Sequence, residues 1–235
     1  MTDAKVHYFC MHTNFLILSP NAMTTSKLIT ANCIFTLALL FKTSSLLSQI
    51  PKDFKMVNAK LDAQGELVIS ASNTSSQHDF DFLAGKWTMD NKRLKRRLDN
   101  CTEWVEYKST DENFGSLLNG KANLDIYRTS FNQVNDTPYE GLTLRLFNPQ
   151  TKLWSLYWVD SNLGVLDPPV VGSFEGNIGT FYCKDVFQGK QILVMFQWDK
   201  TDPDHPVWAQ AFSPDNGVTW EMNMTNVSHR VRSKE

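Results

Sequence analysis

Two aspartates and one arginine form the group in this sequence that is best suited to chemistry. Asp160 and Asp167 flank a short loop, and Arg145 lies on the preceding apolar run. If the three side chains meet, a carboxyl group with a raised pKa could transfer protons, and Arg145 could bind either aspartate or a ligand carboxylate. A salt-bridged loop is the structural alternative. The trio is therefore our candidate for acid-base catalysis of the isomerase, cyclase or decarboxylase type.

A second set of residues fits ligand binding. The chain has seven tryptophans, which supply large apolar surfaces to a ligand or to a filled core. In the basic run from residue 92 to 97, strand alternation sends Arg93 to the face opposite Lys92 and Arg96, so that one cation can enter the interior and meet an anionic group. The predicted partner is a small, largely apolar or amphipathic molecule. The candidate ligand-binding residues are Arg93, Trp104, Arg145, Tyr157, Trp158, Phe181 and Trp198.

Other chemistries find little support in the sequence. The histidines at 78, 205 and 229 do not stand at metal-ligand spacing, and a haem protein could use only His229 as its proximal ligand. Cys101 and Cys183 lie in the part that is predicted to fold, with no Cys-x-x-Cys motif, which favours two separate thiols over a disulfide. The sequence contains no nucleophile elbow, phosphate loop or dinucleotide fingerprint. We expect no metal and no cofactor.

The elements that must position these residues are strands. From residue 83 onward, short runs rich in β-branched and aromatic residues alternate with Gly, Pro, Asn and Asp, and no long stretch has helical periodicity. This pattern predicts an all-β, closed, antiparallel up-and-down barrel of about ten strands. The predicted strands are 86–97, 101–110, 121–130, 140–147, 152–160, 169–175, 178–186, 190–198, 207–212 and 219–229.

Alternation also assigns faces to individual strands. Leu142, Leu144 and Leu146 are predicted to share one face, and Thr143, Arg145 and Phe147 the other. Neither face is purely polar. Strands buried on both sides, or a cavity with a mixed lining, would produce this pattern.

The opening of the barrel segment resembles known families. The run Phe80-Asp-Phe-Leu-Ala-Gly85-Lys-Trp87 is similar to the Gly-x-Trp opening of lipocalins, fatty-acid-binding proteins and nitrobindin-like calycins. The runs 141–149 and 154–160 resemble uncharacterised bacterial proteins of the DUF1579-like type. The resemblance covers about 150 residues and implies a calycin barrel whose tryptophan closes one end, with Arg230 or Arg232 packed over it.

One further motif is a match to the Asp-box, Ser213-Pro-Asp215-Asn-Gly217-Val-Thr219-Trp220. Sialidase-like propellers repeat this unit, whereas here it occurs once and no internal repeat is visible. Its polar side chains can bond the turn backbone, and its glycine allows positive φ. It therefore predicts a hairpin turn and no glycosidase activity.

Composition and the N-terminal region limit the remaining possibilities. A formal net charge of -2 gives no reason to expect nucleic acid or an acidic membrane as a partner of the barrel. We divide the chain into an extension and linker, 1–77, and a barrel domain, 78–235; the sequence leaves the oligomeric state open. Within the extension, the segment 23–48 has three alternative interpretations: a signal peptide, part of a dispensable extension, or a membrane anchor. Met56 is an alternative start of translation. A cytoplasmic location is expected, or a secreted or periplasmic one if 23–48 is a signal peptide.

Overall fold

The fold is taken from a computed structural model, which describes residues 54–134 and 136–232. Expectations about the segment 23–48 therefore lie outside the described residues. Two short strands precede ten long ones. The strands are β1 (Ala59–Leu61), β2 (Leu67–Ile69), β3 (Gly85–Leu94), β4 (Trp104–Leu117), β5 (Ala122–Val134), β6 (Thr137–Asn148), β7 (Leu153–Asp160), β8 (Val170–Glu175), β9 (Ile178–Phe187), β10 (Lys190–Asp199), β11 (Val207–Ser213) and β12 (Glu221–Arg230). Short 3-10 helices cover Asp81–Leu83 and Leu118–Gly120.

The ten long strands close into one antiparallel barrel. Each strand from β3 to β12 pairs with the next in sequence, and β12 pairs with β3 to complete the ring. This confirms the predicted all-β up-and-down barrel of ten strands. The largest differences in strand bounds are at β4, which begins and ends later than expected, and at the hairpin that joins β5 to β6, whose strands are longer than expected.

One end of the barrel is closed by the 3-10 helix at Asp81–Leu83. Trp87, on β3, is buried beneath it and donates from its indole Nε1 to the carbonyl oxygen of Leu83 at 2.6 Å. The guanidinium carbon of Arg230 lies 4.1 Å from the centre of the Trp87 ring, and Arg230 also donates to the carbonyl oxygens of Phe82 and Ala84. Of the two arginines proposed for this position, Arg230 occupies it.

The interior at the closed end is packed with aromatic rings. Phe80 lies 5.0 Å from Trp154 and 5.1 Å from Phe174 in edge-to-face contacts, and 5.8 Å from Phe181, between ring centroids. These residues belong to one buried cluster with aliphatic side chains of β8, β9 and β10. Edge-to-face rings at this spacing contribute beyond their buried area. This end of the barrel is a filled core.

Residues 54–77, which the sequence analysis left outside the barrel domain, pack on its outer surface. The β1–β2 hairpin and Phe54 cover a second apolar cluster on the outer faces of β9 to β12. In the predicted linker, Ser72 is buried; its amide donates to Ser173 Oγ at 2.9 Å. Strands of three residues are too short to show a clear alternation in sequence, which explains why the hairpin was missed.

Among the described residues, we find no helix with the length and apolar character needed to cross a membrane.

Candidate functional site

A cavity of about 130 Å³ lies inside the barrel, lined mainly by the half formed by β3 to β7. Its walls combine aromatic, aliphatic and ionisable side chains, most of which come from these five strands. The lining consists of Leu83, Met89, Asn91, Arg93, Arg97, Tyr107, Asp111, Asp125, Tyr127, Thr129, Phe131, Tyr139, Thr143, Arg145, Leu156, Tyr157, Trp158, Asp160, Phe196, Trp198, Trp208, Met224 and Asn226.

A buried ion pair forms one wall of the cavity. The side chain of Arg145 binds Asp125, and the two side chains are 5% and 4% exposed. Arg145 also donates to Asn123 Oδ1 at 2.9 Å, and Asn123 and Asn113 exchange two amide hydrogen bonds at 2.8 and 2.9 Å. A buried pair of charges persists only with such further hydrogen bonds, because desolvation costs several kcal/mol per ion. The network therefore holds the Arg145 guanidinium in one position.

Asp111 lies beside this ion pair on the inner face of β4. Burial, and then the negative charge of Asp125, raise the pKa of the Asp111 carboxyl to about 9. Arg145 opposes this rise but is already bound to Asp125. At neutral pH the Asp111 side chain is thus a neutral carboxylic acid, able to donate a hydrogen bond.

A group of phenols and one guanidinium forms another part of the cavity lining. The rings of Tyr107 and Phe131 stack with 4.1 Å between centroids, and Arg93 lies 5.0 Å from the centre of the Phe131 ring. Burial lowers the pKa of Arg93 and raises those of Tyr107, Tyr127 and Tyr139. The three phenols therefore keep their protons across the physiological range.

Asp160 borders the cavity but serves mainly to hold a loop. Its Oδ1 accepts the backbone N–H groups of Asn162 and Leu163, both at 2.9 Å, and its Oδ2 accepts the Tyr139 hydroxyl at 3.1 Å. Asp167 is buried without lining the cavity. Arg145 and Asp160 both border the cavity, but Arg145 binds Asp125 and Asn123, and Asp160 binds Tyr139 and the loop. A catalytic role for Asp160, Asp167 and Arg145 stays a prediction.

Five of the seven candidate ligand-binding residues line the cavity: Arg93, Arg145, Tyr157, Trp158 and Trp198. Two do not. Trp104 is 37% exposed at the first position of β4, three residues from the inward Tyr107 and so on the opposite face. Phe181 faces inward but lies in the filled aromatic cluster, where its ring contacts Phe80 and Phe174.

Two residues of the cavity, Asp111 and Tyr127, were not predicted from the sequence. A signal for them exists, since β4 and β5 carry polar or aromatic residues at every second position, which is the pattern of an inward face with a mixed lining. Their meeting depends on the register between the strands, which pairs Asp111 with Tyr127. Alternation alone does not provide that register.

The predicted hairpin at the Asp-box is confirmed. Asp215 Oδ1 accepts the backbone N–H of Thr219 at 2.8 Å and the Ser213 hydroxyl at 2.9 Å. Gly217 has a φ of +88°, and the Trp220 indole donates to the Gly217 carbonyl at 3.1 Å. The motif is thus a turn that joins β11 to β12.

The three histidines of the described residues, His78, His205 and His229, do not line the cavity. His229 is on the outer surface of β12, where its Nε2 is 3.5 Å from Asp90 Oδ2, so it cannot act as an axial ligand to a haem held inside. Within 54–134 and 136–232, no group of three His, Cys, Asp or Glu side chains is placed to hold a metal ion. Cys101 and Cys183 are both free and buried.

Comparisons with known proteins assign no function to the chain. No family model matches the sequence, and no curated protein matches it. Among solved structures, the chain is similar to Rv2717c from M. tuberculosis, with 12% identity, a TM-score of 0.45 and coverage of 69% of this chain and 100% of that one. It is also similar to the S-type phycobiliprotein lyase CPES from Guillardia theta, with 10% identity, a TM-score of 0.46 and coverage of 69% and 96%. At these values the similarity carries no argument, and the chain is described by its own architecture, a closed ten-stranded antiparallel barrel.

Proposed function

We propose that this protein is a binding module that holds a small amphipathic molecule inside its barrel. The observation that carries the proposal is the cavity between β3 and β7, which lies beside a densely packed core in the same barrel. Protein interiors contain few voids larger than a water molecule, because an empty space forfeits the contacts of its walls. A purely structural barrel would be expected to be filled throughout.

The size of the cavity limits the ligand. An engineered cavity of about 150 Å³ in another protein binds benzene, and the volume here is about 130 Å³. Pockets for drug-sized molecules are several times larger, roughly 300 to 1,000 Å³. The proposed ligand is therefore about one ring in size, which is smaller than a fatty acid.

The polarity of the lining favours an amphipathic ligand over a pure hydrocarbon. Trp198 Nε1 and Asn91 Oδ1 are buried, and no described residue hydrogen-bonds to either atom. Both side chains line the cavity. Because buried polar atoms are normally satisfied, a ligand that supplies an acceptor and a donor would complete the walls.

Titration with small ring compounds tests this proposal. Trp158 and Trp198 line the cavity, so benzene, phenol, indole and cyclohexanone should each change the tryptophan fluorescence in a saturable way if they bind. Thr143→Leu enlarges a lining side chain and should weaken the binding of benzene at least about tenfold by filling the space it needs.

The matched control is Thr88→Leu, the same change on the exposed outer face of β3. It should leave the affinity unchanged within about twofold. Absence of a saturable response to all four compounds, or equal weakening by the two substitutions, would contradict binding in the cavity.

The acid-base enzyme that the sequence raised as an alternative needed Asp160, Asp167 and Arg145 in one site. Asp160 is bound to a loop and to Tyr139, and Arg145 is bound to Asp125. We propose no catalytic activity from that trio.

We further infer that the chain is a soluble protein of the DUF1579-like type, cytoplasmic unless 23–48 directs it elsewhere, with neither nucleic acid nor membrane as a partner of the barrel. The support is the pair of sequence runs at 141–149 and 154–160 and the near-neutral net charge of -2. Sequencing the N-terminus of the mature protein distinguishes the compartments.

A further inference from the structure

Among the described carboxyl groups that line the cavity, one is not used by the surrounding hydrogen-bond network. Asp111 is 6% exposed and lines the cavity. Its interactions with other described residues are electrostatic, with Asp125, Arg145, Arg128 and Glu112, and include no hydrogen bond. The other carboxyl groups of the lining are engaged, since Asp125 binds Arg145 and Asp160 binds Tyr139 and the loop.

Strand register places two very different neighbours beside Asp111. On β3 its partner is Trp87, which is 1% exposed and forms an apolar wall. On β5 its partner is Tyr127, whose side chain also lines the cavity. Residues directly opposite in antiparallel strands point to the same face with Cβ atoms about 5 Å apart. The Asp111 carboxyl group therefore lies between the apolar side chain of Trp87 and the phenol of Tyr127.

The protons of this region are available for donation. Asp111 is neutral at physiological pH, because burial raises its pKa to about 9. The Tyr127 phenol on β5 also keeps its proton, because burial raises its pKa. The proton of Asp111 is used by no hydrogen bond to a described residue, and it is therefore able to serve an acceptor in the cavity.

We propose that Asp111 is the polar anchor of the cavity, donating a hydrogen bond from its carboxyl group to an acceptor oxygen of a small ring compound that carries a carbonyl or a phenolic oxygen. The inference rests on the binding function proposed above and adds the chemical class of the ligand. Arg93, Arg97 and Arg145 also line the cavity and disfavour a cationic ligand. A donor preorganised in a dry site binds such an oxygen more strongly than water does.

Three compounds of nearly equal shape test the anchor. Binding of para-fluorobenzaldehyde, para-fluorophenol and para-fluorotoluene to the full chain is followed by fluorine NMR. The two oxygen compounds should bind roughly tenfold more tightly than para-fluorotoluene, which is the order expected for one buried hydrogen bond. The aldehyde carries a carbonyl oxygen and the phenol a phenolic oxygen, so their affinities show which kind of acceptor is bound. Tighter binding of either compound than of para-fluorotoluene supports the anchor.

Substitutions at Asp111 identify the donor. Asp111→Leu keeps the approximate shape and should abolish the preference for oxygen while changing the affinity for para-fluorotoluene by no more than about threefold. Asp111→Asn keeps an N–H donor and should retain the preference within about threefold. If Asp111→Leu does not fold, Asp111→Asn still tests whether a donor at this position is enough for the preference for oxygen.

Thr110→Leu is the matched control, because Thr110 is the residue next to Asp111 on β4 but lies on the exposed outer face of that strand. It should leave the preference for oxygen in place. If the three compounds bind the native protein equally, or if Asp111→Leu retains the preference, the anchor is overturned and the binding function stands. If none of the three binds, the proposed function itself fails.

Discussion

The two halves of the barrel bury opposite kinds of residues. In β8 to β10 the inward positions carry apolar side chains such as Phe174, Phe181 and Val194, which pack into the closed aromatic cluster. In β3 to β7 the inward positions carry Asn91, Asp111, Asn123, Asp125 and Arg145, all less than 9% exposed. One half is an ordinary core, and the other keeps ionisable groups in its interior.

Both halves of the barrel carry apolar side chains on their outer surfaces. The outer faces of β9 to β12 carry an apolar cluster that is covered by residues 54–69. On the outside of β6, the leucines at 142, 144 and 146 are only half-buried, and Arg145 between them is buried inside. A polar interior in a sheet with an aliphatic exterior is costly, because buried charges must be desolvated. Such a cost is typical of a functional site and atypical of a structural core.

The largest expected effect comes from breaking the ion pair in the polar half. Arg145→Met leaves the Asp125 carboxylate buried without its partner and should lower the free energy of unfolding by about 3 to 5 kcal/mol. Unfolding by urea measures this change. Adding Asp125→Leu to the variant should restore much of the loss, since the unpaired charge is then absent.

The control is Arg128→Met in the exposed pair whose Arg128 Nε lies 2.6 Å from Glu140 Oε1. Surface pairs contribute about 0 to 1 kcal/mol, so little change is expected. Equal losses at Arg145 and Arg128 would mean that the polar half is as open to water as the outer surface, and the distinction between the halves would fail.

The fold could be predicted from the sequence to the level of strand order. Alternation from residue 83 onward gave ten strands, and the turn chemistry at residues 213–220 correctly separated the last two. The Gly85-Lys86-Trp87 opening located the closed end, and Arg230 packs over Trp87 as the resemblance implied. The strands and the turn depend on residues that are close in sequence, and the closed end depends on one tryptophan and one arginine. Such features can be predicted from the sequence.

The site could be predicted only in part, because its contacts depend on strand register. Alternation sent Arg93 and Arg145 inward, which agrees with the cavity lining. It could not show that Arg145 meets Asp125, since that pair joins β5 to β6 across a register fixed by the whole sheet. The raised pKa of Asp111 depends on depth in the folded barrel, for which the sequence carries no direct signal.

A second test compares how the two halves accept an added methyl group. In Gly179→Ala the new Cβ would lie 2.7 Å from the Phe174 ring, and in Gly141→Ala it would lie 2.0 Å from the Trp158 ring. Phe174 is enclosed by other rings, whereas Trp158 borders the cavity and has space into which it can move. Overpacking costs typically about 1 to 3 kcal/mol, and we expect Gly179→Ala near the upper end and Gly141→Ala near the lower. Urea unfolding measures both, and a larger cost at Gly141 would show that the polar half is packed as rigidly as the aromatic one.

The last test concerns the pH dependence of stability, where the expected effect is modest for each pH unit. The pKa of Asp111 rises on folding from 3.8 to about 9, so the native state holds a proton that the unfolded state releases in between. The contribution of this group is therefore fully present below pH 3.8 and is lost as the pH rises towards 9. Through Asp111, the free energy of unfolding should decline by up to about 1.4 kcal/mol for each pH unit. Asp111→Asn should remove this decline, so that the free energy of unfolding of the variant falls less between pH 6 and pH 8 than that of the native protein. Glu112→Gln, on the outer face beside it, is the control and should leave the decline in place. The same decline in Asp111→Asn as in the native protein would show that the Asp111 carboxyl is already ionised at neutral pH, and the polar half would then contain no neutral acid to serve as a donor.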